Sequence, residues 1–284
     1  MISVLFYGNC QPDAIRKILC LDPALYHATF LPCYLTDYDE SAFLHLVTNS
    51  DIIVTQSIQD NYNNKPYLST SFVLQHAKKH TRIFLFDSCY FHFYYFDLTY
   101  VKLDGNRYHA PIDYHYTSMI ECYNKKLPVE TYVRDYVHNA TLKTEEELEA
   151  IAERGLKELQ DRYMLSKERY ERDNVYVFSI HDFVRDNYKK KLLFYSVNHP
   201  TKYLFHHLCE EIQTHFGFPK TMDYDLDPLR SIQCILYACI QNHVTFDHTK
   251  HAARTLGTSN PAAIAKLYYD TYSKLDMSKL TFGE

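Results

Sequence analysis

The amino-acid sequence predicts an α/β fold, a doubly wound and largely parallel sheet in three layers with a helical C-terminal extension. Two observations carry the prediction. Between Ser3 and Phe86, short β-branched and aromatic runs alternate with segments whose apolar residues recur at helical spacing, the pattern of βαβ units. Clusters of polar residues then follow the predicted strands, where open α/β sheets gather strand-to-helix loops around a ligand crevice.

Taken in order, Ser3 to Tyr7 is the first strand. Pro12 to Leu21 is a helix, with proline in the first turn, where a missing N–H costs nothing, and Ala14, Ile15, Ile18 and Leu19 along one face. His27 to Leu35 is a second strand, Ser41 to Thr48 a short helix, Asp51 to Gln56 a third strand, Phe72 to His80 a helix and Arg82 to Phe86 a fourth strand. Residues 88–137 break the period with an aromatic segment, including Tyr90 to Phe96, read as an insertion over the sheet edge. Thr144 to Asp173 is a long charged helix opened by a Thr144 and Glu147 capping box, its charges read as a solvated face. Val175 to Ile180 is a short strand, His181 to Asn187 a helix and Lys191 to Val197 a late strand. Pro200 to Phe216 is a helix with Leu204, Leu208, Ile212 and Phe216 at four-residue spacing and Gly217 as its stop. Residues 1–217 are thus expected to form the α/β core, and 218–284 a mainly helical extension of the same domain.

Composition narrows the function. Acidic and basic residues are interleaved at a net charge of −5, which leaves no basic field for a nucleic-acid backbone. The apolar N-terminus stops at Gly8, too short for a signal peptide or a membrane span. Eight cysteines show neither CxxC pairs nor the spacing of a disulfide framework or zinc site, so no metal and a reducing cytoplasmic setting are expected. The 27 tyrosines, with no tryptophan, suit half-buried surfaces that meet sugars or partner proteins.

The chemistry is expected in Gly8-Asn9-Cys10-Gln11, after the first strand. A helix N-terminus favours the thiolate of Cys10, Gly8 permits a sharp turn, and Asn9 and Gln11 carry amide donors suited to an oxyanion. Asn198-His199-Pro200 follows the late strand, and His199, at the mouth of a helix whose dipole disfavours the imidazolium, is a candidate general base. Ser57 and Gln59, after the third strand, are candidate substrate ligands, and His92 with its neighbouring tyrosines a candidate pocket wall.

The pair formed by Gly8-Asn9-Cys10-Gln11 and Leu193 to Thr201 resembles the polysaccharide-biosynthesis acetyltransferases of the WcbI type, a family similar in fold to the SGNH hydrolases. The resemblance implies binding of coenzyme A or acetyl-CoA and O-acetylation of a sugar or glycan acceptor, with Cys10 and His199 on the motif positions. The SGNH pattern has an aspartate three residues before its histidine; here that position is Ser196, so the residue orienting His199 is not given. A cysteine also replaces the usual serine, and an acyl thioester on Cys10 is nearly isoenergetic with the donor, which suits transfer better than hydrolysis. Direct attack by a hydroxyl activated by His199 is the other route. A cysteine-dependent esterase on the same scaffold, and a non-catalytic carbohydrate- or protein-binding module, are the competing functions.

Overall fold

The computed structural model describes residues 1–34, 39–247 and 257–283. Its elements in chain order are β1 (Ile2–Gly8), α1 (Cys10–Leu19), β2 (Tyr26–Pro32), α2 (Glu40–Asn49), β3 (Ile52–Gln56), α3 (Thr70–His76), β4 (Arg82–Phe86), β5 (Leu98–Leu103), β6 (Asn106–Arg107), β7 (His115–Tyr116), α4 (Thr117–Asn124), α5 (Val129–Tyr132), α6 (Glu145–Tyr170), β8 (Val175–Phe178), α7 (His181–Asn187), α8 (Lys202–Phe216), α9 (Ala238–His243), α10 (Pro261–Tyr272) and β9 (Leu280–Gly283). They fall into two compact units: Met1–Tyr90, Leu156–Asp186 and Asn198–Leu229 form the first, and Phe91–Gly155, Asn187–Val197 and Arg230–Glu284 the second.

In the first unit, β1 reads Val4-Leu5-Phe6-Tyr7 with every side chain at most 1% exposed, which requires cover on both faces of the sheet. That cover comes from helices. Leu5, Tyr7, Ile53, Ile83, Leu85, Val175 and Val177 pack against Phe43 and Val47 of α2, Val73 and Leu74 of α3 and Tyr170 of α6. On the other face, Phe84 meets His215 and Phe216 of α8 at 6.0 and 6.3 Å between ring centroids. The five strands run parallel in the order β2-β1-β3-β4-β8. Because the chain leaves β1 toward β2 and then returns to place β3 on the opposite side, the order reverses between β1 and β3. The crevice outside the carboxyl ends of those two strands is where such sheets take a ligand.

The predicted first, third and fourth strands match β1, β3 and β4, and α8 ends as predicted at Gly217, which adopts a left-handed φ of 69°. The capping box also forms, with Thr144 N donating to Glu147 Oε2 at 2.8 Å and Glu147 N to Thr144 Oγ1 at 3.2 Å. Several boundaries move. Asn9, rather than Pro12, sets the start of α1, because its side chain accepts the Gln11 amide and Cys10 becomes the first helical residue. The second strand ends at Pro32, and Leu35, its expected end, lies outside the described residues.

The second unit is built around β5, which pairs antiparallel with β6, β7 and β9. The aromatic segment expected to lack a period therefore contains strands of its own. Its core holds Tyr94, Tyr116, Tyr132, Tyr268 and Tyr272, whose rings give apolar contact while their hydroxyls reach polar partners, as with Tyr268 OH to Tyr114 O at 2.6 Å. This arrangement overturns the late strand predicted over Lys191 to Val197. The run is buried from Leu192 to Val197, but among the described residues it forms no strand, and Phe194 makes only a single bridge. Its backbone is satisfied by irregular partners instead: Tyr94 OH donates to Lys191 O at 2.9 Å, Tyr95 OH to Phe194 O at 3.1 Å, and Cys234 N to Tyr195 O at 2.8 Å. In the C-terminal region, α9 and α10 are helical as expected, and β9 adds a strand to β5.

Candidate active site

Gly8 closes β1 with a φ of +147°, and a Cβ placed there would lie 2.5 Å from Gln56 Oε1 and 2.9 Å from Pro12 Cγ, so this position takes only glycine. The close approach brings the Gln56 amide, at the end of β3, against the turn. Gln56 Oε1 accepts from Asn9 N at 2.8 Å, and its Nε2 donates to Gln11 Oε1 at 2.7 Å. Gln11 is fully buried and extends the chain of amides: Oε1 also accepts from Cys89 N at 3.0 Å, while Nε2 donates to Cys89 O at 3.0 Å and to Asn198 O at 2.8 Å. A single side chain thus joins the loops after β1 and β4 to the segment before α8. Sequence reasoning placed Gln11 as an oxyanion donor, but both of its amide hydrogens are taken up by backbone carbonyls. Asn9 accepts the Gln11 backbone amide through its side-chain oxygen as the α1 cap.

Cys10 stands between these two residues at the N-terminus of α1, half-buried. The only acid in that turn, Asp13, is ion-paired with Arg16 and Lys17 at 2.7 Å each, which weakens its opposition to a thiolate. The neighbouring thiols differ sharply from an exposed one. Burial pushes the Cys33 thiol up to about 11 and the fully enclosed Cys89 thiol higher still. The Tyr34 phenol on the rim is also raised, by burial first and then by Cys10, Cys33 and Asp13.

His199 follows the Asn198 carbonyl that Gln11 Nε2 holds, so Cys10 and His199 each adjoin one end of a single 2.8 Å hydrogen bond although 189 positions separate them. It does not end a strand, and α8 opens only at Lys202, with Thr201 as its cap; the dipole expected to act on the imidazole begins three residues further on.

The loops after β3 and β4 meet a face of α6 that sequence reasoning had assigned to solvent. Ser166 Oγ donates to Asp87 Oδ1 at 2.7 Å and lies 3.3 Å from Ser57 Oγ. Arg162 reaches Tyr90 O at 3.3 Å and covers the Tyr90 ring at 5.8 Å, and Arg169 bonds Asp60. Arg162, Ser166 and Arg169, spaced four and three apart, form one stripe turned to the carboxyl ends of the strands. That spacing was visible in the sequence, but without tertiary contacts it is indistinguishable from an exposed face. Gln56, the polar end of an apolar strand, was the other missed residue. Asp87 is raised from its ordinary range, mainly by burial and against the pull of Ser166, Arg162 and Ser57. Gln59 is exposed, its backbone carbonyl accepting from Tyr62 N at 3.3 Å. His92 belongs to the second unit, where its carbonyl accepts from Tyr95 N at 3.0 Å.

A cluster of ligand-type side chains, Glu145, Glu149 and His243, lies in the second unit with its ligand atoms within 4.8 Å of one another. The Lys189 ammonium already sits on Glu149 and supplies the cation there. Among the described residues, no helix is long and apolar enough to cross a membrane.

Residues 3–221 match the sequence profile of the family described as polysaccharide biosynthesis enzyme WcbI. Among solved structures, the chain is similar to WcbI itself, described as a novel polysaccharide biosynthesis enzyme in its native form without a disulfide bond between coenzyme A and one of its cysteines. The TM-score is 0.80 at 18% identity, over 98% of this chain and 92% of that one. No curated protein matches the sequence.

Proposed function

The chain belongs to the WcbI family of polysaccharide biosynthesis enzymes, and on that premise we propose that it is an O-acetyltransferase that moves an acetyl group from acetyl-CoA, through Cys10, to a hydroxyl of a sugar or glycan precursor. The observation that carries this reading is the Gln11 tie, which gathers the Cys10 turn and Asn198-His199 at the switch point of the sheet. The coenzyme A named with the structural neighbour supports the donor. It also favours transfer over hydrolysis, which needs no coenzyme.

His199 takes the proton of Cys10 as the sulfur attacks the thioester carbonyl. The coenzyme leaves as a thiolate and receives that proton from His199, which leaves an acetyl thioester on Cys10. Attack by the acceptor hydroxyl then releases the Cys10 sulfur, and the positive end of the α1 dipole stabilises the oxyanion that forms in each half.

Acetyl-CoA without acceptor is expected to add one acetyl group to the protein, mapped by mass spectrometry to the peptide carrying Cys10. Cys10→Ala abolishes it. His199→Ala slows it by about 100- to 10,000-fold, the range of a general base. Absence of any acetylated Cys10, together with full turnover by the Cys10→Ala variant, refutes the reading.

A further inference from the structure

Asp87 lies in the first unit. It follows β4 at the carboxyl end of the sheet, Oδ1 accepts from Ser166 Oγ at 2.7 Å, and Oδ2 is enclosed and, among the described residues, has no hydrogen-bond partner. Most buried side-chain oxygens have a partner, and Asp87 Oδ2 is an exception. Ser166 Oγ in turn lies 3.3 Å from Ser57 Oγ, and Ser57 immediately follows Gln56, whose amide holds the Asn9 backbone. Three oxygens therefore run from the half-buried loop after β3, beside the Cys10 turn, to an enclosed carboxyl.

The direction of the chain follows from its end. Ser166 has one hydrogen and two acceptors in reach, Asp87 Oδ1 at 2.7 Å and Ser57 Oγ at 3.3 Å; with that hydrogen given to the carboxyl, rotation of the Ser57 hydroxyl lets the Ser166 oxygen accept from it, and Ser57 then presents lone pairs outward. A hydroxyl whose oxygen accepts is suited to receive the hydrogen of another hydroxyl, and successive bonds of this kind polarise one another.

We propose that Ser57, Ser166 and Asp87 form a relay that takes up the proton of the attacking acceptor hydroxyl, with Asp87 as its terminal base. The inference rests on the transferase reading above and divides the two halves of the reaction between two bases. As the acceptor oxygen bonds to the acetyl carbon, its proton passes to Ser57 Oγ, that of Ser57 to Ser166 Oγ, and that of Ser166 to Asp87 Oδ1. The bond from carbon to the Cys10 sulfur breaks, and the sulfur leaves as a thiolate. Return of the Asp87 proton to that thiolate restores the enzyme, so no external acid or base is consumed. The charged and titratable groups around Asp87 are Arg162 on α6 and Cys89 on its own loop, with Cys10 beyond. Burial raises the proton affinity of Asp87 against the opposing Arg162 charge, which suits a base.

The test separates the half-reactions. Wild type, Asp87→Asn and Ser166→Ala are each mixed with acetyl-CoA, and acetylation of Cys10 is followed first alone and then after addition of either methyl glucoside or hydroxylamine. Both variants are expected to acetylate at the wild-type rate but to discharge to methyl glucoside and water about 100-fold more slowly. Discharge to hydroxylamine, a strong nucleophile that does not depend on a base, is expected to remain near wild type. Such selective rescue is not expected of residues that only hold the loops in place. Ser166→Ala keeps the carboxylate, so the relay is read even where Asp87→Asn folds poorly. Equal discharge to the sugar hydroxyl by wild type and both variants overturns the relay while leaving Cys10 acetylation intact. A wild type that never acetylates removes the transferase reading, and the relay with it.

Discussion

Asp87 in the first unit and Asp97 in the second are both buried carboxyls raised by desolvation, yet they are furnished in opposite ways. Asp97 Oδ1 accepts from Ser118 N at 3.1 Å; its Oδ2 accepts from Ser118 Oγ at 2.5 Å and from Tyr237 OH at 2.6 Å, and Tyr237 itself contacts Tyr132 OH at 2.9 Å. Both oxygens are occupied and the network is closed. Asp87 has one oxygen engaged and one enclosed without a partner among the described residues. A raised carboxyl is thus no sign of chemistry by itself; the completeness of its hydrogen bonding separates a structural acid from a reactive one.

The largest expected effect on stability follows from opening the closed network. Asp97→Ala leaves the Ser118 amide and hydroxyl and the Tyr237 hydroxyl without their acceptor, and the loss is expected to reach about 3 kcal/mol or more in urea unfolding. A loss below about 1 kcal/mol would mean that water or neighbouring groups replace the carboxylate, and the contrast with Asp87 would weaken.

The same conservative change at the two sites should then act with opposite sign. Asp97→Asn puts an amide N–H₂ where two hydroxyls donate, forcing them to turn, at a cost of about 1–2 kcal/mol. Asp87→Asn keeps an oxygen for Ser166 and removes a buried charge, so it is expected to be about 1 kcal/mol more stable than wild type near neutral pH, a gain typical of a residue kept for function. Paired denaturation curves decide this. Destabilisation of similar size at both positions would make Asp87 structural.

Much of this layout could be read from the residues. Ile-Ile-Val-Thr-Gln and Arg-Ile-Phe-Leu-Phe are short apolar runs bounded by polar residues, and both fold as the strands they suggest. In Gly8-Asn9-Cys10-Gln11 the glycine signalled the turn, while the Asn9 cap was not read from it and the helix was expected to open at Pro12. What failed depended on partners distant in sequence. Leu192 to Val197 has the composition of a strand, but nothing in it reveals that Tyr94 and Tyr95 hydroxyls will take its carbonyls. Arg162, Ser166 and Arg169 look like a solvated helix face until the loops after β3 and β4 are laid against them. Gln11 was recognised as important, but its role as a tie needs Cys89 and Asn198, 78 and 187 residues away.

The smallest expected effect is on the pH dependence of stability. The folded-state affinity of Asp87 for its proton is raised above the ordinary value of 3.8. Between that value and the folded one, the folded chain holds more protons than the unfolded, so the contribution is most favourable at low pH. Stability falls as pH rises through the window, and the contribution is flat above it. Asp97, also raised, acts in the same direction in both proteins. Asp87→Asn removes only its own share, so the variant and wild type should be closest in stability below pH 3.8 and diverge in favour of the variant as pH rises, then run parallel. Urea midpoints measured across that range give the difference directly. Parallel curves throughout would mean that Asp87 titrates alike in the folded and unfolded chain, and the carboxyl would then lack the raised proton affinity that suits it to end a relay.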